Sequence, residues 1–167
     1  HIGNEFFAWF ESTDSKSRIN FLELLRAGQM DYVINEEALE YMDQQRLPKA
    51  LLSRLEGHDK KRFTDLAEWQ SHLEELQFVN HRHIKLATEG ALLGSALHHG
   101  LPKSLVVVSD DAGQFHILNH GLCWIHAERT INKLIPLDEE KGKILENVRE
   151  QIWEFYNQLK DYLDFLI

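Results

Sequence analysis

Leu105-Val106-Val107-Val108-Ser109-Asp110-Asp111-Ala112-Gly113, residues 105–113, is the stretch that decides the fold. Four successive apolar residues, three of them β-branched, predict a strand over 104–109. A continuous apolar run of this kind marks burial on both faces, as at the centre of an α/β sheet. Asp110 to Gly113 carry turn chemistry that ends it, and a short helical turn with Phe115, Ile117 and Leu118 is expected next. Gly121-Leu122-Cys123-Trp124-Ile125 predicts another buried strand, leading through His126 into a helix from Ala127 to Leu134. On the other side, Ile84 to His99 predicts a helix whose small residues, Ala87, Gly90, Ala91, Gly94 and Ala96, let it lie close against a sheet. The fold class is therefore α/β.

Further out, the aromatic run Glu5 to Phe10 predicts a strand, and Ser12-Thr13-Asp14-Ser15 offers side-chain oxygens for turns and helix caps. Ile19, Phe21, Leu22 and Leu25 recur at helical spacing over 17–27, closed by Gly28. Asp31 to Ile34 predicts a short strand, and Asn35 caps a helix through Tyr41 and Met42. Residues 46–82 are more polar and mostly helical, and they read as an insertion between core elements, its charges forming a solvated face. Pro136 breaks the chain before Asp138-Glu139-Glu140, acids that suit a helix N-terminus. The last helix carries a heptad stripe: Leu145, Val148, Ile152, Phe155, Leu159, Tyr162 and Leu166. That stripe serves either core packing or pairing with a second copy. The aromatic start and the uncapped helical pattern at Ile167 read as a piece of a longer chain.

Composition sets the outer limits. At 43% hydrophobic and 27% charged residues the chain is not disordered, and 167 residues can bury roughly 70% of the unfolded surface. No apolar run approaches the ~20 residues of a membrane helix. The single cysteine, Cys123, excludes an internal disulfide and suits a reducing cytoplasm. Eighteen Lys and Arg against 27 Asp and Glu leave a net charge of -9, unlike a surface built to grip phosphate backbones.

Asp110, directly after the strand, sits at the carboxyl edge where α/β sheets collect ligands and catalytic groups, and a carboxylate there can bind a hard divalent cation. Alternatively, Asp110 or Asp111 simply caps the following helix. Ten histidines include His81-Arg82-His83, His98-His99 and the segment Cys123 to His126, but none has the spacing of a zinc motif. Gly-x-Gly-x-x-Gly, Walker and Gly-x-Ser-x-Gly loops are absent from the sequence, which removes support for nucleotide-loop and serine-hydrolase chemistry.

Val106 to Phe115, followed by Leu122-Cys123-Trp124-Ile125-His126-Ala127-Glu128-Arg129, resembles the core of DDE-type bacterial transposases, most closely the insertion sequence sixty-six group. Phe6 to Phe10, Ser15 to Leu22, Ala87 to Gly94 and Lys133 to Pro136 are also similar to that group, so the resemblance covers most of the chain. It implies an incomplete ribonuclease-H-like core with a mixed sheet, the helical insertion 46–82 and a long C-terminal helix, residues 1–167 forming part of one catalytic domain. It also implies three acidic residues holding two magnesium (or manganese) ions roughly 4 Å apart for in-line phosphoryl transfer. Asp110 matches the second acid, and His126 and Arg129 match the strand-to-helix segment near the scissile phosphate; His126 is otherwise a structural histidine. The first aspartate would lie upstream of His1 and the last glutamate downstream of Ile167. A lone carboxylate holds magnesium weakly, so this piece is expected to bind no ion, grip DNA poorly and catalyse nothing alone. The rival expectation is a non-catalytic helical interaction module that uses the 145–166 stripe, with a homodimer as its simplest form.

Overall fold

Short polar side chains start most of the helices, as the cap positions in the sequence anticipate. A computed structural model describes residues 2–3, 8–9 and 15–166 of the chain. Strands β1 (Ile2–Gly3) and β2 (Ala8–Trp9) pair antiparallel. The remainder of the expected Glu5–Phe10 strand, with Ser12, Thr13 and Asp14, lies outside the described residues. Helix α1 (Arg18–Leu25) begins at Ser17, whose hydroxyl accepts the Asn20 amide at 3.2 Å. Ala27 and Gly28 then turn the chain with φ of 53° and 83°, a region that glycine enters without steric cost. β3 (Tyr32–Val33) follows, and Asn35 caps α2 (Glu36–Gln44) by accepting from Ala38. α3 (Lys49–Gly57) starts behind Pro48. β4 (Arg62–Phe63) precedes α4 (Leu66–Glu75), capped by Asp65. α5 (His81–His98) is capped by Asn80.

Packing divides the chain into two compact units, one comprising 1–105 and 113–118, the other 106–112 and 119–167. In the first, α5 is the central element: every residue from Leu86 to Ala96 is buried, and it packs on α1, α2 and β3. The expected small residues do permit close approach, but chiefly to a helix and one strand. A Cβ on Gly94 would collide with the Val33 carbonyl, and one on Gly90 would come within 2.6 Å of the Met42 side chain. The segment 46–82 is mainly helical, as expected, and it supplies core as well as surface. Leu55, Phe63 and Trp69 are at most 1% exposed, and β4 pairs antiparallel with β3. The Trp69 ring stacks on Tyr32 at 5.7 Å and its Nε1 donates to Thr88 Oγ1 at 3.0 Å. Residues 113–115 form a 3-10 turn in this unit, as anticipated, with Phe115 edge-on to Phe21 at 5.0 Å.

The second unit holds β5 (Val106–Ser109) and β6 (Asn119–Leu122), parallel and in register from Val106↔Asn119 to Ser109↔Leu122. It also holds α6 (Trp124–Asn132) and α7 (Glu139–Leu166). Two expectations are corrected here. The apolar run of β5 is not buried on both faces: Val106 and Val108 are 57% and 66% exposed. Alternate side chains project to opposite faces, so these two valines share one face of a sheet that, among the described residues, has only two strands. β5 therefore lies beside β6, while β2 pairs with β1. The second strand also ends earlier than expected. The register runs out at Leu122 because β5 stops at Ser109, and the Cys123 carbonyl already accepts from the His126 and Ala127 amides. Trp124 and Ile125 are thus the first turn of α6 and not strand residues.

The long C-terminal helix is present as expected, with Asp138 accepting the Lys141 amide at 2.8 Å and Glu139 and Glu140 in its first turn. The chain is a mixed α/β fold with three two-stranded sheets among the described residues. Among those residues no helix is long and apolar enough to cross a membrane.

Candidate functional site

Because β5 and β6 run parallel, their carboxyl ends share one edge, and the N-terminus of α6 starts from that edge. The Cys123 amide donates to the Ser109 carbonyl at 2.9 Å and ties the two strand ends together. Asp110 follows β5 at this edge and is half-buried. Its Oδ1 accepts the Ala112 amide at 3.3 Å, a contact that shapes the turn while leaving the second oxygen available. Asp111 is exposed. Ser109 Oγ lies 2.8 Å from His120 Nε2 and 2.7 Å from the Asp110 carbonyl oxygen, to which it donates. Sequence inspection missed His120. Its position opposite Val107 in the parallel register, two pairs away from Ser109↔Leu122 and so on the same face as Ser109, is a tertiary fact.

His126 lies in the first turn of α6 and Arg129 near its last, both exposed. A separation of three residues puts them on one face of the helix. The opposite face packs inward: Trp124 meets Phe155 and Tyr156 of α7 edge-on at 5.9 Å each, and Glu128 faces Arg149 at 3.7 Å. Among the described residues no hydrogen bond or ion pair joins Asp110 to His126 or Arg129. The donor set at the strand edge is one carboxylate, oxygen chemistry that suits a magnesium ligand, yet it is one ligand and not the octahedral shell that magnesium demands.

The first unit contains two polar networks that sequence inspection did not anticipate. Asp31, 6% exposed, accepts from Ser95 Oγ at 2.7 Å and Arg62 Nε at 2.7 Å, and His99 Nε2 lies 3.0 Å from both its oxygens. Burial pushes its pKa up, but hydrogen bonds from Ser95, His99 and Arg62 and the charge of His99 outweigh this and hold it at about 2. The legible trace was Ser95 and His99, four apart on α5 and therefore on one face. In the second network Glu89, 1% exposed, accepts from the Tyr41 hydroxyl at 2.8 Å, with Arg18 at 3.5 Å and Lys85 at 3.9 Å. Burial and the Glu89 charge drive the Tyr41 phenol well above its ordinary range, so it remains a donor. In both networks the acid is surrounded by donors from several elements, the arrangement of structural ion pairs, although Arg18 Nε is buried without a hydrogen-bond partner among the described residues. A cavity of about 250 Å³ in this unit is lined by Tyr41, Gln44, Leu93 and Leu97, among others, and by none of Asp110, His126 or Arg129.

No family model matches the chain, and no solved structure matches it. Among curated proteins it is 41% identical over 161 residues to "Uncharacterized protein y4jO" of Sinorhizobium fredii (strain NBRC 101917 / NGR234). The alignment covers 95% of this chain and 50% of that protein, so the chain spans about half the length of the curated relative it matches.

Proposed function

We propose that this chain is part of the catalytic core of a DDE-type DNA transposase, a ribonuclease-H-like domain in which Asp110 is one of three metal-binding carboxylates. The observation that carries this is the placement of Asp110 immediately after β5, at the carboxyl edge of a parallel strand pair from which α6 departs. The order of strand, acid, strand and helix agrees with the resemblance, which also calls for 106–109 to be a central strand beside 5–10; among the described residues β5 pairs with β6 alone. Asp110 contributes an oxygen ligand, fixed by the Ala112 amide; Arg129, exposed and always charged, offers bidentate contact to a phosphate, and His126 a ring nitrogen on the same face. The metals, when bound, stabilise the attacking and leaving oxygens of phosphodiester cleavage and strand transfer.

The test is a transposition assay on the full-length parent protein. Asp110→Asn should reduce excision to background with the fold retained, and Arg129→Ala should lower it through weaker DNA engagement. Undiminished transposition by Asp110→Asn would sink the proposal. The purified 167-residue piece, with net charge -9 and one of the three acids, should neither shift DNA at physiological salt nor join strands.

A second function class has its own observation. On α7, Val148, Phe155, Leu159 and Tyr162 are 38–61% exposed and lie on the heptad stripe. As an interaction module, this helix would pair with a second copy through that stripe. Sedimentation then shows a concentration-dependent dimer that Leu159→Glu and Tyr162→Glu convert to monomer; a monomer at every concentration excludes it.

A further inference from the structure

His58 follows the C-terminal end of α3, while His72 and Glu75 sit on α4 three residues apart and hence on one face. Their ligand atoms lie within 4.8 Å of one another, the one such His, Cys, Asp or Glu group among the described residues. We propose that His58, His72 and Glu75 bind a divalent transition-metal ion of the zinc class, closing α3 onto α4 and leaving a fourth position for water. This site lies in the first unit and is independent of Asp110 and of the transposase reading.

Two observations support it. The His72 ring is held rigidly, 4% exposed, stacked on Phe63 at 4.4 Å and crossed edge-on by His58 at 4.4 Å. Its Nε2 is one of three buried side-chain atoms without a hydrogen-bond partner among the described residues, and the other two, Arg18 Nε and Arg149 Nε, are guanidinium donors that cannot ligate a metal. His58 Nδ1 accepts the Lys60 amide at 3.1 Å, a contact that metal capture by this nitrogen would exchange.

The donor set selects the metal. Two imidazole nitrogens and one carboxylate suit zinc and its neighbours in the first transition row, whereas magnesium and calcium take oxygen shells. The setting points the same way. Lys60 and Lys61 lie near His72 and oppose any cation held by charge alone. Lys60 is paired with Glu68, and Lys61 is bonded to the carbonyls of Leu55 and Glu56, so neither occupies the cluster itself. In a tetrahedral zinc shell with bonds of about 2.1 Å, ligand atoms stand about 3.4 Å apart. The exposed, flexible Glu75 can supply most of the closure from 4.8 Å.

The experiment is a zinc titration of the chelator-stripped 167-residue chain against a chromophoric competitor, with cobalt as spectroscopic probe and magnesium as comparison. One zinc per chain is expected, with the intense visible absorption of four-coordinate cobalt and no competition from magnesium. Since changes to outer-shell groups alone cost roughly 10–100-fold in affinity, His58→Gln and Glu75→Gln should each weaken zinc by at least about 100-fold. Both positions are solvent-accessible, so circular dichroism can verify that these variants fold even where His72→Gln does not. His81→Gln with His83→Gln should leave binding unchanged and so guards against general histidine affinity. Absence of a stoichiometric site, or equal zinc affinity in wild type, His58→Gln and Glu75→Gln, would overturn the proposal.

Discussion

At the residue scale, Asp31 is the most consequential charge in the first unit. A carboxylate lowered from 3.8 to about 2 on folding stabilises the native state above its unfolded value, and that contribution disappears as pH falls through the folded value. The difference of nearly two pH units corresponds to about 2 kcal/mol at neutral pH, lost between roughly pH 4 and pH 2. Chemical denaturation at pH 7, 4 and 2 should show this decline, and Asp31→Asn should flatten it. The same substitution leaves Arg62 and His99 facing a neutral amide and should cost about 2 kcal/mol at neutral pH, the scale of hydrogen bonds to a charged group, since only Asp31 is buried and Arg62 can turn to solvent. Glu89→Gln should be milder, because the amide oxygen can still accept from the Tyr41 hydroxyl.

At the element scale, α5 is defined by what its side chains lack. Gly90 and Gly94 face Met42 and Val33 across approaches that leave no room for a methyl group. Met42 is a flexible side chain that can yield, whereas the Val33 carbonyl belongs to β3 and is fixed by strand pairing. Gly94→Ala should therefore destabilise the chain by about 2–3 kcal/mol and Gly90→Ala by less, despite the better helix propensity of alanine in both cases. Thermal melts of the two variants check the ranking; equal losses would mean that β3 adapts as easily as the methionine. The Asn35 cap was legible at this scale because its side chain accepts an amide of its own first turn, a local interaction; Ser17, Asp65 and Asn80 do the same, but α5 starts at His81 and not at Ile84. The end of β6 was not legible, because it depends on where its partner β5 stops.

At the scale of the whole molecule, the two units differ in how much apolar surface they bury. The first has a continuous interior, with Leu22, Met42, Leu55, Phe63, Trp69 and Leu92 at 0–1% exposure. In the second, Val106, Val108, Leu122 and Ile125 are at least half exposed. Amide hydrogen exchange should follow this division: residues 86–96 exchange slowest, and β5 and β6 open at lower free energy, since sparse apolar burial marks weakly held segments. Comparable protection in β5 and α5 would contradict this account. The sequence by itself determined the helices, the acid that follows β5, the C-terminal stripe and the absence of nucleotide-loop motifs, because caps, periodicity and motifs are properties of neighbouring residues. Only the tertiary structure decided that β5 pairs with β6, that 46–82 carries Trp69 into the core, and that Asp31, Ser95 and His99 or His58, His72 and Glu75 converge. Such groupings join residues separated by up to 68 positions, and chain-local chemistry carries no record of which distant side chain will supply the missing partner.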